Sequence, residues 1–213
     1  MTAPQQMTTQ QALDLGVKHH NAGNLFTAEK IYQKLLQTDP GMTAATHLLG
    51  VISYQKGDYQ TAVELIEQAL SVQPNLAAAH NNLGLALRKL GRSEAALACY
   101  RKAVSINKKY TDAYNNLGNV FKGMEKHQEA VDLFKKAIEI EPNFALAQNN
   151  LGTTLNNMGK GNEAISCFKK AIQNNPNLIE AYNNLGNAMK VSEKPNEAIN
   201  FFEKAIQINP KYT

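Results

Sequence analysis

The sequence predicts an all-α protein, a right-handed solenoid of six helix–turn–helix repeats. Three observations predict this fold class. A pattern of small and apolar residues recurs every 34 residues, a period typical of stacked helix pairs. Within each period the apolar residues follow three- and four-residue spacing, which places them on one face of a helix. The period runs from residue 9 to residue 212 without an insertion.

The fourth repeat, residues 111–144, shows the pattern most clearly. Leu117 and Phe121 are four residues apart and share one face of a first helix. Gly118 and Ala130 have almost no side chain, so the two helices of the repeat can approach each other closely there. A glycine inside a helix costs about 1 kcal/mol relative to alanine. Its recurrence in every repeat therefore indicates a packing requirement.

The same frame divides the chain into six predicted repeats. Their bounds are 9–42, 43–76, 77–110, 111–144, 145–178 and 179–212. The first-helix glycine recurs as Gly16, Gly50, Gly84, Gly118, Gly152 and Gly186. The second-helix alanine recurs as Ala28, Ala62, Ala96, Ala130, Ala164 and Ala198, each followed four residues later by an aromatic residue or isoleucine. One small residue at one position in six repeats is a strong indication of a common fold.

Each repeat should contain a turn between its two helices, and glycine occupies that turn in four repeats. The exceptions are Glu125 and Glu193. Glycine is the residue best suited to the left-handed conformation that ends a helix. We therefore expect these two turns to be less favourable than the others.

The ends of the chain and its cysteines bear on location. Residues 1–8 are polar, and we predict a flexible N-terminus there. No stretch has the pattern of a signal peptide or a transmembrane helix, so we expect no direct membrane insertion. Cys99 and Cys167 lie two repeats apart, too far to form a disulfide. Free thiols favour a reducing compartment, and we predict a cytoplasmic protein.

The common catalytic and metal-binding motifs are not found. The sequence has no Gly-x-Ser-x-Gly, no phosphate-binding loop and no paired carboxylates with an acid–base partner. Its five histidines, including the adjacent His19 and His20, lack the spacing of metal ligands. The net charge of +4 is mild and spread along the helices, which argues against nucleic acid as a partner. We therefore expect no enzymatic activity, no cofactor and no metal.

A doubled asparagine precedes the Leu-Gly pair in four successive repeats, at 81–82, 115–116, 149–150 and 183–184. Asparagine is a poor helix former, so its repetition on a first helix calls for an explanation. Its amide carries two donors and an acceptor, and can hold a peptide backbone without reading side chains. The structural alternative is that these amides bond neighbouring helices, or that the doublet follows from repeat duplication. We predict a binding role for at least the second asparagine.

The whole pattern resembles the tetratricopeptide repeat (TPR), in which first helices line a concave groove. Residues 9–212 are similar to the N-terminal TPR region of O-linked N-acetylglucosamine transferases and their bacterial relatives. The resemblance does not extend to a glycosyltransferase domain. It implies that the asparagine just before Leu-Gly belongs to a ladder that grips extended peptide backbone. By that match, the candidates are Asn82, Asn116, Asn150 and Asn184.

Other side chains at inner positions complete the predicted peptide-binding surface. The first two repeats place mainly apolar residues there, among them Tyr54. Later repeats place polar and basic residues there instead: Arg88, Asn119, Lys122, Asn187 and Lys190. We therefore expect a groove that changes from apolar to polar and basic along the array.

The most consistent interpretation is a protein–protein interaction module that binds an extended peptide or protein segment in its concave groove. One alternative is the substrate-recruiting arm of a larger glycosyltransferase-like enzyme. Another is a scaffold that self-associates through the sixth repeat. That alternative rests on the apolar last helix, which has no polar capping helix after it in this sequence.

Overall fold

The computed structural model describes residues 7–191 and 195–210. This part of the chain contains twelve α-helices and no β-strand. In order they are α1 Thr9–Asn21, α2 Leu25–Thr38, α3 Thr43–Gln55, α4 Tyr59–Val72, α5 Ala77–Lys89, α6 Ser93–Ile106, α7 Thr111–Gly123, α8 His127–Ile140, α9 Ala145–Asn157, α10 Gly161–Asn174, α11 Ile179–Val191 and α12 Pro195–Ile208. The predicted all-α fold of six helix–turn–helix repeats is confirmed.

The helices have nearly constant lengths. First helices such as α7 have 13 residues, and second helices such as α8 have 14. Three residues separate the helices of a repeat and four separate one repeat from the next. Such short connections make consecutive helices antiparallel neighbours. These constant lengths generate the 34-residue period of the sequence.

The chain divides into two compact halves, Met1–Asn107 and Lys108–Thr213. The N-terminal half contains α1 to α6, and the C-terminal half contains α7 to α12. Inside each half the two helices of every repeat pack on each other, and each second helix packs on the first helix of the following repeat. Three repeats in each half therefore share a continuous core.

The first-helix glycine faces an aromatic ring of its own second helix in five repeats, and Ile66 in the second repeat. A Cβ atom on Gly118 would lie 2.7 Å from Phe134 Cε1, and one on Gly152 would lie 2.6 Å from Phe168 Cε1. Both phenylalanine rings are buried. The close approach predicted at this glycine is thus a contact with an aromatic ring, and the small alanine of the second helix is buried beside it.

Left-handed backbone occurs at the turn position predicted from the sequence. Gly23, Gly57, Gly91 and Gly159 have φ between 75° and 86°. Glu125 occupies the equivalent position and also adopts a positive φ, of 58°. The turn of the fourth repeat keeps the conformation of the others, although a side chain disfavours it. Glu193 lies outside the described residues.

The first helix begins with a capping box. The Thr8 side chain accepts a hydrogen bond from the Gln11 backbone, and the Gln11 side chain accepts one from the Thr8 backbone. This reciprocal pair satisfies two backbone N–H groups at the start of α1. Of the predicted flexible segment 1–8, residues 1–6 lie outside the part of the chain that the structure describes.

Candidate functional site

The predicted site residues all lie on first helices. Tyr54 is on α3 and Asn82 and Arg88 are on α5, in the N-terminal half. The remaining residues are in the C-terminal half: Asn116, Asn119 and Lys122 on α7, Asn150 on α9, and Asn184, Asn187 and Lys190 on α11. In that half α7 contacts α9 and α9 contacts α11, so these three helices form one surface. We call it the first-helix surface of the C-terminal half.

Asparagine side chains connect successive first helices across this surface. Asn150 Nδ2 donates a hydrogen bond to Asn115 Oδ1 at 2.9 Å. Asn184 Nδ2 donates to Asn149 Oδ1 at 3.0 Å, with Thr153 Oγ1 at 3.4 Å. We call each such pair a rung. In both rungs the second asparagine of one repeat donates to the first asparagine of the repeat before it.

The two asparagines of a doublet have different environments. Asn115 and Asn149, the acceptors, are each 7% exposed. Asn150 and Asn184, the donors, are half-buried. A buried amide needs a hydrogen-bond partner, and the rung provides one. The first asparagine therefore fixes the orientation of the second at the surface.

Part of the donor amide stays available after the rung forms. A primary amide has two N–H donors and one acceptor oxygen. Within the described residues, the side-chain oxygens of Asn150 and Asn184 accept no hydrogen bond. Asn150 also keeps one N–H. An oxygen and an N–H at one amide match the N–H and C=O of a peptide backbone.

A histidine replaces the first asparagine in the second repeat. Asn82 Nδ2 donates to His47 Nε2 at 3.0 Å, which is the N-terminal counterpart of a rung. This geometry requires an unprotonated Nε2, so His47 is neutral with its proton on Nδ1. Burial lowers the pKa of His47 below its ordinary value of 6.5. Protonation would turn the acceptor into a donor and break this rung.

The His47 rung should make stability depend on pH. Because the folded pKa is lowered, the unfolded chain binds more protons just below pH 6.5, and acid favours unfolding. The stabilisation is complete above pH 6.5 and is lost as the pH falls through the lowered pKa. We expect the urea midpoint of the wild type to fall more than that of His47→Asn between about pH 7 and about pH 5. Equal slopes for the two proteins would contradict this assignment.

The basic candidates lie where a helix dipole favours them. Arg88, Lys122 and Lys190 are each in the last turn of a first helix, close to its negative end. Arg88 and Lys190 are exposed and Lys122 is half-buried. This position favours a basic side chain structurally, and it places positive charge at the C-terminal end of α5, α7 and α11.

Tyr54 packs against the second helix of its own repeat. Its ring lies 5.4 Å from the Tyr59 ring, centroid to centroid, with an interplanar angle of 54°. This distance is typical of an aromatic pair. Tyr54 is half-buried, as are Leu48 and Val51 on the same helix. Only part of each of these side chains can therefore reach a ligand.

The rung acceptors His47, Asn115 and Asn149 were not among the predicted site residues. The doubled asparagine contained the signal, because the first residue of each doublet lies one period and one residue before its partner. The sequence alone does not identify these pairs, because the pairing also depends on how one first helix is rotated relative to the next.

Metal-ligand clusters and membrane-spanning helices are both absent from the part of the chain that the structure describes. Among residues 7–191 and 195–210, no three His, Cys, Asp or Glu side chains lie together as metal ligands would. No helix in those residues has the length and apolar character needed to cross a membrane.

The fold and the repeated first-helix surface define a helical repeat array. The family profile of the tetratricopeptide repeat matches residues 41–109, 76–142 and 143–211. The chain belongs to the tetratricopeptide repeat family.

Solved structures of other repeat proteins are similar to the chain. A crystal structure of MamA is 28% identical, covers 76% of this chain and 95% of MamA, and has a TM-score of 0.66. PilF of Pseudomonas aeruginosa is 21% identical over 95% of this chain and 92% of PilF, with a TM-score of 0.84. YrrB, described as a TPR protein with an unusual peptide-binding site, is 22% identical over 85% of this chain and 93% of YrrB, with a TM-score of 0.64. No curated protein sequence matches the chain significantly.

Proposed function

We propose that the chain is a protein–protein interaction module whose first helices bind an extended peptide or protein segment. The observation that carries this proposal is the pair of rungs at Asn150 and Asn184. In each rung an N–H of the donor amide is bonded inside the protein, and the oxygen of that amide remains available at the surface. An array of such amides can bind backbone repeatedly along a ligand.

The chemistry favours backbone recognition over side-chain recognition. An amide has no net charge and no apolar body, so it distinguishes side chains poorly. Preorganisation by the rung lowers the conformational entropy that Asn150 and Asn184 lose on binding. YrrB shows that a protein of this fold can have a peptide-binding site. The resemblance to the O-linked N-acetylglucosamine transferase array motivates the choice of an extended segment as the ligand. The location that we propose is the cytoplasm.

Binding should weaken when the rung donors are removed. We expect Asn150→Ala and Asn184→Ala each to reduce the affinity for a peptide by about 0.5–1.5 kcal/mol, the contribution of one hydrogen bond. The probe is a peptide selected on the wild-type protein from a randomised 12-residue display library, measured by fluorescence anisotropy. Helical circular dichroism should stay constant or rise slightly, because alanine favours helix.

A matched control uses asparagines outside the first-helix surface. Asn162→Ala and Asn200→Ala remove exposed amides from the second helices α10 and α12 and should leave affinity unchanged. An N-methylated version of the selected peptide, which keeps its side chains but loses backbone donors, should bind more weakly. Full affinity for the Asn150→Ala, Asn184→Ala double variant would exclude the proposed site. Loss of helical signal in that variant would instead assign the rungs a structural role.

A further inference from the structure

A second surface feature lies in the C-terminal half, on the side of the second helices. A cleft of about 460 Å³ opens between α8, α9 and α10. Its lining includes Lys135 and Ile138 from α8, Gln148 and Leu151 from α9, and Cys167 and Lys170 from α10. None of these residues is a predicted peptide-binding residue or takes part in a rung. The cleft is therefore separate from the site described above.

Gln148 lines the cleft at a position whose residue varies from repeat to repeat. Gln148 occupies the position that Tyr114 holds in the fourth repeat and Tyr182 in the sixth. Gln148 is 5% exposed, and its amide is held in place on both sides. Its Nε2 donates to the Pro142 carbonyl at 2.7 Å, and its Oε1 accepts from Asn174 Nδ2 at 2.8 Å. These two hydrogen bonds hold Gln148 in one orientation at the wall of the cleft.

The lining combines an apolar floor with two cations. Leu151 is buried and Ile138 is half-buried, whereas Lys135 and Lys170 are exposed. None of the residues that the structure places around the cleft is acidic. In the described part of the chain, neither of these two ammonium groups is ion-paired or hydrogen-bonded. The adjacent Lys136, by contrast, forms an ion pair with Glu139 at 2.9 Å.

Cys167 lines the cleft, and the charged groups near it affect the pKa of its thiol. Burial raises the pKa of its thiol, Lys170 and Lys135 lower that pKa, and the Glu163 carboxylate raises it. Cys99 occupies the same repeat position in the N-terminal half. Burial also raises the pKa of Cys99, to about 11, and the Glu67 carboxylate adds to that increase. Two lysines and a glutamate therefore act on the Cys167 thiol, whereas a glutamate acts on the Cys99 thiol.

We propose that the cleft between α8, α9 and α10 binds a small anionic group, a carboxylate or a phosphate, carried on an apolar stem. The stem lies beside Gln148, against Ile138 and Leu151. The anion lies at the mouth, where Lys135 and Lys170 donate charge-assisted hydrogen bonds. Two cations near each other repel, and a bound anion relieves that repulsion.

The test measures protection of Cys167 against alkylation in the full chain. Iodoacetamide is the reagent, butyrate is the carboxylate probe, and butyramide is its uncharged counterpart. At about 10 mM butyrate, well above a millimolar dissociation constant, alkylation of Cys167 should slow several-fold while that of Cys99 should not change. Butyramide should protect neither thiol. Sodium chloride at the ionic strength of the butyrate sample should also protect neither thiol. Equal protection by butyramide, or no selective protection by butyrate, overturns the proposal.

Two pairs of variants locate the effect. Lys135→Gln with Lys170→Gln should weaken butyrate binding about tenfold, as expected for losing hydrogen bonds from charged groups. Lys136→Gln with Lys169→Gln removes the same number of charges from neighbouring exposed positions and should leave binding unchanged. Gln148→Tyr restores the residue of the adjacent repeats and should abolish binding while helical circular dichroism is retained. Undiminished butyrate binding in Gln148→Tyr excludes the cleft as the site.

The source of the anion is distinguished by three further probes. These are a short peptide ending in a leucine carboxylate, the same peptide with an amidated C-terminus, and inorganic phosphate. Protection by the carboxylate peptide at lower concentration than by phosphate assigns the cleft to the tail of a protein partner. The reverse order assigns it to a free phosphate compound. Failure of all probes to protect Cys167, with intact peptide binding on the first-helix surface, rejects this proposal and leaves the first one standing.

Discussion

Phe134→Ala is expected to lower the free energy of unfolding by about 3–5 kcal/mol, the range for removing a fully buried aromatic ring. Phe134 is completely buried in the core cluster of the C-terminal half, which also contains Leu151 and Phe168. The ring packs between the first helix of its own repeat and the next repeat, so its loss leaves a cavity at a junction. Urea denaturation followed by helical circular dichroism measures the effect.

The matched control for this prediction is a phenylalanine on the surface. Phe26 is 67% exposed, and the Lys30 ammonium lies 4.2 Å from its ring centroid. An exposed cation–π contact of this kind contributes about 0.5–1 kcal/mol. Phe26→Ala should therefore cost less than about 1 kcal/mol. Similar losses for the two variants would mean that burial of Phe134 does not determine stability.

Gly118→Leu is expected to destabilise the protein by about 1–3 kcal/mol or more, as overpacking does. Even the first added carbon would lie 2.7 Å from Phe134 Cε1 and 3.0 Å from Cδ1 and Cζ. The ring is fully buried and cannot move away without displacing its own neighbours. Gly118→Ala should also destabilise, although alanine is the better helix former.

A glycine of the same helix supplies the comparison. Gly123 has no atom within 4 Å of the position that its Cβ would take. Gly123→Ala should therefore stabilise the protein by up to about 1 kcal/mol, the difference in helix propensity. Phe134→Leu should partly rescue Gly118→Ala, because the smaller side chain vacates the contested space, and a double-mutant cycle measures this coupling. Parallel shifts in Gly118→Ala and Gly123→Ala would show that the glycine–ring contact is unimportant.

The period of the sequence predicted the helices because every repeat has the same lengths and the same small residue at its closest contact. The left-handed turn was equally predictable, and Glu125 shows that the fold imposes this conformation even without glycine. The second asparagines were singled out from the sequence, as proposed ligand contacts, because they recur at one position. Their partners were not, because a rung depends on how one first helix is rotated against the next.

The cleft beside Gln148 could not be predicted in the same way. The position of Gln148 holds a different type of residue in most repeats, and this variation does not show where a cleft opens. Here hydrogen bonds with Pro142 and Asn174 fix Gln148 at the wall of the cleft. Whether a substitution leaves a void is decided by the packing of three helices, which a repeat pattern does not encode.

The rungs also bear on how such an array changes its copy number. Each rung joins the first asparagine of one repeat to the second asparagine of the following repeat, so it belongs to a junction and to neither repeat alone. A repeat that carries the doublet supplies an acceptor to its successor and a donor to its predecessor. Duplicating one such repeat therefore adds one junction, and the new junction has both asparagines of its rung. Deleting one such repeat joins its two neighbours through a junction that also has both asparagines. The surface can lengthen or shorten by whole modules without any compensating substitution.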